Sequence, residues 1–106
     1  MTDHIIPRYK LMLFYDLPPG DREEYFQFVM NEMIPAVQEQ GLYMFRVFHT
    51  LWGDYPLRQA EFVAEDLDTI QLLLASETWK GLEAKLLQHA TNYHRKIVRF
   101  RPGFQL

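Results

Sequence analysis

Cysteine is absent from the 106 residues, which excludes a disulfide framework, thiolate chemistry and a cysteine metal site and fits a cytoplasmic protein. Uninterrupted apolar runs of membrane-spanning length are missing too, so no transmembrane helix is expected. The opening Met-Thr-Asp-His-Ile-Ile-Pro lacks the basic segment and apolar run of a signal peptide. Positive charge is scarce: 11 Lys and Arg against 14 Asp and Glu give a formal net charge of −3. That balance argues against a general nucleic-acid binder. Repeats, low-complexity runs and linkers are also missing, so residues 1–106 read as one domain around one core. What the chain has in quantity is aromatic residues, 15% of the total, in an otherwise ordinary composition.

Those aromatics gather in Leu42–Trp52, Leu-Tyr-Met-Phe-Arg-Val-Phe-His-Thr-Leu-Trp, which reads as a long strand. Gly41 stops the helical pattern before it, and Gly53-Asp54-Tyr55-Pro56 supplies a turn after it. Both faces of this strand are largely apolar, so something must cover the second face, and a second copy of the chain is the expected cover. Arg8–Asp16 is the first strand, again apolar on both faces, and Leu17-Pro18-Pro19-Gly20 ends it. Asp21, with Glu24 three residues on, has the spacing of a capping box. The helix that follows carries Phe26, Val29, Met30, Met33 and Val37 as its apolar stripe, with Glu23, Gln27, Asn31 and Glu39 on the wet side. Pro35 should bend it or remove the hydrogen bond to the Asn31 carbonyl. Leu57–Glu65 returns as the hairpin partner of the aromatic strand. Asp66 or Asp68 caps a helix bearing Leu67, Ile70, Leu73 and Leu74, and Ser76 caps another bearing Trp79, Leu82, Leu86 and Ala90. Trp79 is expected to anchor that last helix on the sheet. Asn92–Arg101 is the final strand, basic through Arg95, Lys96, Arg99 and Arg101, and its simplest reading is a solvated edge.

Strand, helix, strand, strand, helix, strand is the order of an α+β, ferredoxin-like four-stranded antiparallel sheet with its helices on one face. With Asp16-Leu17-Pro18-Pro19-Gly20, Ile34-Pro35-Ala36 and Glu77-Thr78-Trp79 at their places in that order, the chain resembles the dimeric α+β barrel superfamily near its EthD-like branch. The resemblance implies that two protomers pack sheet against sheet, with a cavity between the sheets. The EthD-like group usually places a histidine shortly before the helix proline, and here Glu32 and Met33 occupy that region.

Within that frame His49 is the histidine inside the apolar strand. A hairpin loop over Gly53–Leu57 sets it opposite Glu61, whereas a loop one residue shorter sets Phe48 there. An imidazole beside a carboxylate suits a general base, and equally a hydrogen-bonded core histidine. Arg46, a lone charge in the same strand, could steady an anionic ligand, pair with Glu61, or blunt an exposed edge. His49, Glu61 and Arg46 are therefore the catalytic candidates, and Tyr15, Tyr43, Trp52 and His94 the candidates for lining a ligand pocket. His89 stands on the late helix, where haem-binding branches of the superfamily often carry an iron ligand; His4 lies in the terminal segment. No histidine pair has ligand spacing with a carboxylate, so neither metal nor cofactor is expected. The expected function is a homodimer binding a small hydrophobic or aromatic molecule, as a cofactor-free oxygenase or isomerase or as a non-catalytic ligand-binding or stress-response-type dimer. An RRM-like nucleic-acid module shares the strand order, but Leu57–Glu65 lacks the stacking aromatics and glycines that it needs.

Overall fold

The computed structural model describes residues 5–20, 22–49 and 58–101. Four strands, β1 (Tyr9–Asp16), β2 (Tyr43–His49), β3 (Arg58–Ala64) and β4 (Thr91–Arg99), form one sheet in the order β2-β3-β1-β4. All three pairings are antiparallel. Helices α1 (Arg22–Phe28) and α2 (Ile34–Glu39) are joined by one wide π turn, Val29–Met33; α3 (Leu67–Ala75) and α4 (Glu77–Leu86) follow β3. The ferredoxin-like expectation holds element for element. Among the described residues no helix is long and apolar enough to cross a membrane.

Strand alternation sorts the sheet into two faces. Leu11, Leu13 and Tyr15 of β1 and Ala60, Phe62 and Ala64 of β3 point to the helices, where Trp79, Ile70, Leu73, Leu86, Met33 and Val37 complete the core. Lys10, Met12 and Phe14 of β1 share the other face with Glu61 and Val63 of β3 and His94 and Val98 of β4. The aromatic strand β2 is an edge, and β1 and β3 are the inner strands.

Two inserted residues change the phase of the sequence pattern. In the first helix the Ile34 N–H donates to the Val29 carbonyl, five residues back. The widened turn admits Pro35 without a broken ladder. It also rotates the preceding segment, so the buried residues are Tyr25, Phe28, Met33 and Val37. Phe26 and Met30, expected in the apolar stripe, are 48% and 59% exposed. The wet side is as expected, with the Gln27 amide donating to Glu23 and the Asn31 amide to Gln27. In β2 a bulge between Met44 and Arg46 sets two residues against Glu61.

Helix ends follow the sequence closely. The Thr69 N–H donates to Asp66 Oδ1 at 2.8 Å, and the Trp79 N–H to Ser76 Oγ at 3.1 Å. Gly41, at φ +97°, reverses the chain after α2. On the other side of β1 a second irregularity brings Asp16 opposite Thr91, where Asn92 takes φ +54° and its amide donates to Asp16 at 2.7 Å. Asp21, the turn at 53–56 and the end of the chain from residue 102 lie outside the described residues.

Candidate functional site

The open sheet face carries an unexpected burial. Glu61, on inner strand β3, is only 1% exposed although among the described residues no helix covers that face. Its neighbours across the pairings are Met12 on β1 and Arg46 on β2. Arg46 Nε lies 2.8 Å and Lys10 Nζ 3.1 Å from Glu61 Oε1, and the Gln59 amide donates to Oε2 at 2.6 Å. Aromatic rings roof the cations: Arg46 lies over Phe45 and Phe48, and Lys10 over Phe45 and Phe100. Burial pushes the Glu61 carboxyl up, but hydrogen bonds from Arg46, Gln59 and Lys10 outweigh it and hold the group below the ordinary glutamate range. The carboxylate is therefore ionised at neutral pH and a poor proton acceptor. A shallow hollow of about 380 Å³ lies over this cluster, lined also by Met12, Phe48 and Val98.

Of the catalytic candidates, Arg46 and Glu61 are thus in direct contact. His49 is not opposite Glu61. The strands pair three residues away from the register that a loop over Gly53–Leu57 gives, so His49 pairs with Arg58, and the one-residue bulge then sets Arg46 rather than Phe45 opposite Glu61. A pure two-residue alternation, read along β2 from Tyr43, could not see this. Lys10 was missed because Met12 and Phe14 beside it suggested an apolar face; its signal was a lone charge inside an apolar strand, the same signal that marked Arg46.

The pocket-lining candidates divide. Tyr43 stands opposite Val63, and His94 stacks on Phe14 with ring centroids 4.7 Å apart, both on the open face. Tyr15 is on the other side, buried among the helices, and so cannot line a cavity between two sheets. Its phenol meets that of Tyr25 at 2.5 Å. This pair lines an apolar cavity of about 90 Å³ between the first helix and the sheet, walled also by Met30, Met33, Met44, Val47 and Phe62. Arg58 lies over the Tyr25 and Phe26 rings at 5.4 and 5.5 Å. Trp52 is outside the described residues.

His89 falls just past α4, half-buried against Tyr25 and Phe28. Among the described residues no group of three or more His, Asp or Glu side chains could hold a metal ion. The basic last strand is partly tied down: the Arg95 guanidinium and the Tyr93 phenol both donate to Glu83. Arg8, Arg99 and Arg101 border an exposed hollow beside Tyr9 and Phe100.

No family model matches the sequence, and no curated protein matches it. Solved structures do. A NIPSNAP family protein of unknown function from Agrobacterium tumefaciens is 18% identical, with a TM-score of 0.63, over 96% of this chain and 98% of that one. An EthD family protein from Bacillus halodurans is 15% identical, also with a TM-score of 0.63, over 89% of this chain and 99% of that one. A conserved protein of unknown function from Bacteroides thetaiotaomicron, described as a possible oxidoreductase, reaches a TM-score of 0.66 at 9% identity, over 89% and 98%. At these identities the likeness is one of fold, and it spans nearly the whole of each chain. The protein has the ferredoxin-like α+β fold, and these NIPSNAP and EthD proteins share it.

Proposed function

We propose that two copies of this chain pack through their open sheet faces and bind a small hydrophobic or aromatic molecule between the sheets. The observation that carries this reading is the Glu61 cluster. An ionised carboxylate, two cations and an amide stand in the middle of a sheet face that, among the described residues, no helix covers, under half-exposed phenylalanines. Covering that face with a second sheet leaves the cluster as the polar floor of an otherwise apolar space, the composition of a small-molecule site.

The chemistry follows from the charges. Glu61 holds Arg46 and Lys10 in place rather than taking a proton, and the two cations favour a ligand whose oxygen carries or develops negative charge. The catalytic form of this reading is a cofactor-free oxygenase or isomerase acting on such a ligand, and the Bacteroides structure described as a possible oxidoreductase supports it. The non-catalytic form is a ligand-binding or stress-response-type dimer using the same space.

Native mass spectrometry of freshly purified protein is expected to show a dimer with a bound small molecule. Arg46→Leu is expected to keep the dimer and lose the added mass. A bare dimer, or a ligand retained in full by Arg46→Leu, overturns the reading. Chromatography of the captured molecule after incubation with the dimer in air separates the two forms: conversion to a product supports the catalytic form, and full recovery unchanged supports the non-catalytic one. His49, whose strand register sets it with Arg58 and in phase with Val47 and Ala60, falls on the helix side of the sheet and is not assigned to this site.

A further inference from the structure

The cavity between the first helix and the sheet is a different place from the inter-sheet space, and its chemistry is set by a proton count. Tyr15 and Tyr25 are both buried, and burial pushes both phenols above the ordinary tyrosine range, Tyr15 further still through its neighbour Tyr25. Both therefore keep their protons at neutral pH. Two hydroxyls joined by one hydrogen bond use one proton between them. The other O–H is a donor that, among the described residues, meets no acceptor. A buried donor without an acceptor is costly, and both tyrosines line the same apolar cavity.

The walls are built for a guest. The π turn contributes Met30 and Met33, and β2 contributes Met44. Three unbranched, polarizable side chains make a wall that yields to fit. At about 90 Å³ the space is smaller than the roughly 150 Å³ apolar cavity that takes up benzene, so a ring-sized guest needs that yielding. Met30 and Phe26 are exposed on the outer side and give a way in. Arg58, over the Tyr25 ring, disfavours a cation there and favours an oxygen with partial negative charge.

We propose that this cavity binds a small, neutral, ring-sized apolar molecule through one acceptor oxygen, with the Tyr15–Tyr25 pair as the hydrogen-bond donor. Cyclohexanone and methylcyclohexane are near-isosteric probes, and they differ in that oxygen. The five methionines serve as reporters when their methyl groups carry ¹³C. Met30, Met33 and Met44 line the cavity, while Met12 lies over the Glu61 cluster on the opposite face.

Titration with cyclohexanone is expected to move the signals of Met30, Met33 and Met44 saturably and leave Met12 unmoved. Methylcyclohexane should bind roughly tenfold more weakly, the worth of one hydrogen bond. Either phenol alone retains a proton to donate, so single phenylalanine variants should keep the preference. The double variant Tyr15→Phe/Tyr25→Phe should abolish it. The proposal is overturned if the three cavity methionines do not respond, if Met12 alone responds, or if the ketone and the hydrocarbon bind equally to the unaltered protein. That last comparison decides the matter even if the double variant fails to fold. A response of Met12 alone would leave the inter-sheet reading standing, so the two proposals fail separately.

Discussion

Glu61 concentrates the energetics of the open face in one side chain. Its carboxylate is buried within the single chain and held by Lys10, Arg46 and Gln59. Replacing it with glutamine keeps the shape and removes the charge that neutralises buried Lys10. Breaking a buried pair from one side costs about 3–5 kcal/mol, and the value here should lie near the low end because Arg46 is partly exposed. Chemical denaturation of Glu61→Gln at neutral pH checks this. The pH dependence has a definite sign: a carboxyl held low in the folded state stabilises the fold above the ordinary glutamate pKa of about 4.3, and that stability is lost as pH falls through the lowered folded value. The unaltered protein should therefore lose stability in acid through this group, and Glu61→Gln should show a shallower acid limb. Trp79 tests the opposite face. Fully buried against the sheet with Ser76 capping its helix, it should cost about 3–5 kcal/mol on mutation to alanine. A loss below about 1 kcal/mol in thermal and urea unfolding would place it outside the core.

At the scale of elements, caps and breakers were legible and phases were not. Asp66, Ser76 and Gly41 announce their roles because each acts on the backbone within three residues. The apolar stripe of the first helix was misread because periodicity assumes a constant number of residues per turn, and Val29–Met33 inserts one. Tyr25 and Phe28 thus go inward in place of Phe26 and Met30. The same kind of insertion in β2 brought Arg46 rather than Phe45 to Glu61, while His49 is opposite Arg58 because the hairpin register differs by three residues from the one expected. Candidate residues were accordingly recognisable by type, as lone charges in apolar strands, and the pairing of Arg46 with Glu61 was among the expected ones, whereas the place of His49 depended on a hairpin register that no local pattern records. Tyr15 went to the wrong face for a different reason: its strand is apolar on both sides, so alternation alone could not say which side met the helices. Gly41 offers an element-scale test. Its φ is +97°, and a Cβ there would lie 3.0 Å from the Thr69 methyl. Gly41→Ala should therefore cost about 1–2 kcal/mol through backbone strain and crowding together, read as a lowered denaturation midpoint with an unchanged slope. A neutral result would mean that the α2–β2 reversal can relax.

The whole molecule was the most legible scale in fold and the least in assembly. Element order, lengths and short connections leave few topologies for two helices and four strands, and the observed sheet is the one expected. Assembly depends on which apolar side chains stay outside, and that depends on the bulge. Phe45 and Phe48 are 41% and 45% exposed on the Glu61 side of the sheet. They are large rings on an edge strand, adjacent to the half-buried Met12, Phe14 and Val98 of the inner and far strands. A contiguous apolar face of this kind marks an interaction surface, and its occupant in the proposed assembly is the same face of a second copy, related by a two-fold axis. A specific dimer should bury upward of about 1,000 Å² in total. Sedimentation at micromolar concentration is expected to give the dimer mass for the unaltered protein. Because Phe48 is half exposed in one protomer, Phe48→Glu should leave the circular dichroism spectrum unchanged and still give a monomer. It adds a second negative charge near Glu61 and sets like charges against each other across the axis. A monomeric unaltered protein would remove the dimer, and a Phe48→Glu dimer of unchanged affinity would move the interface to another face.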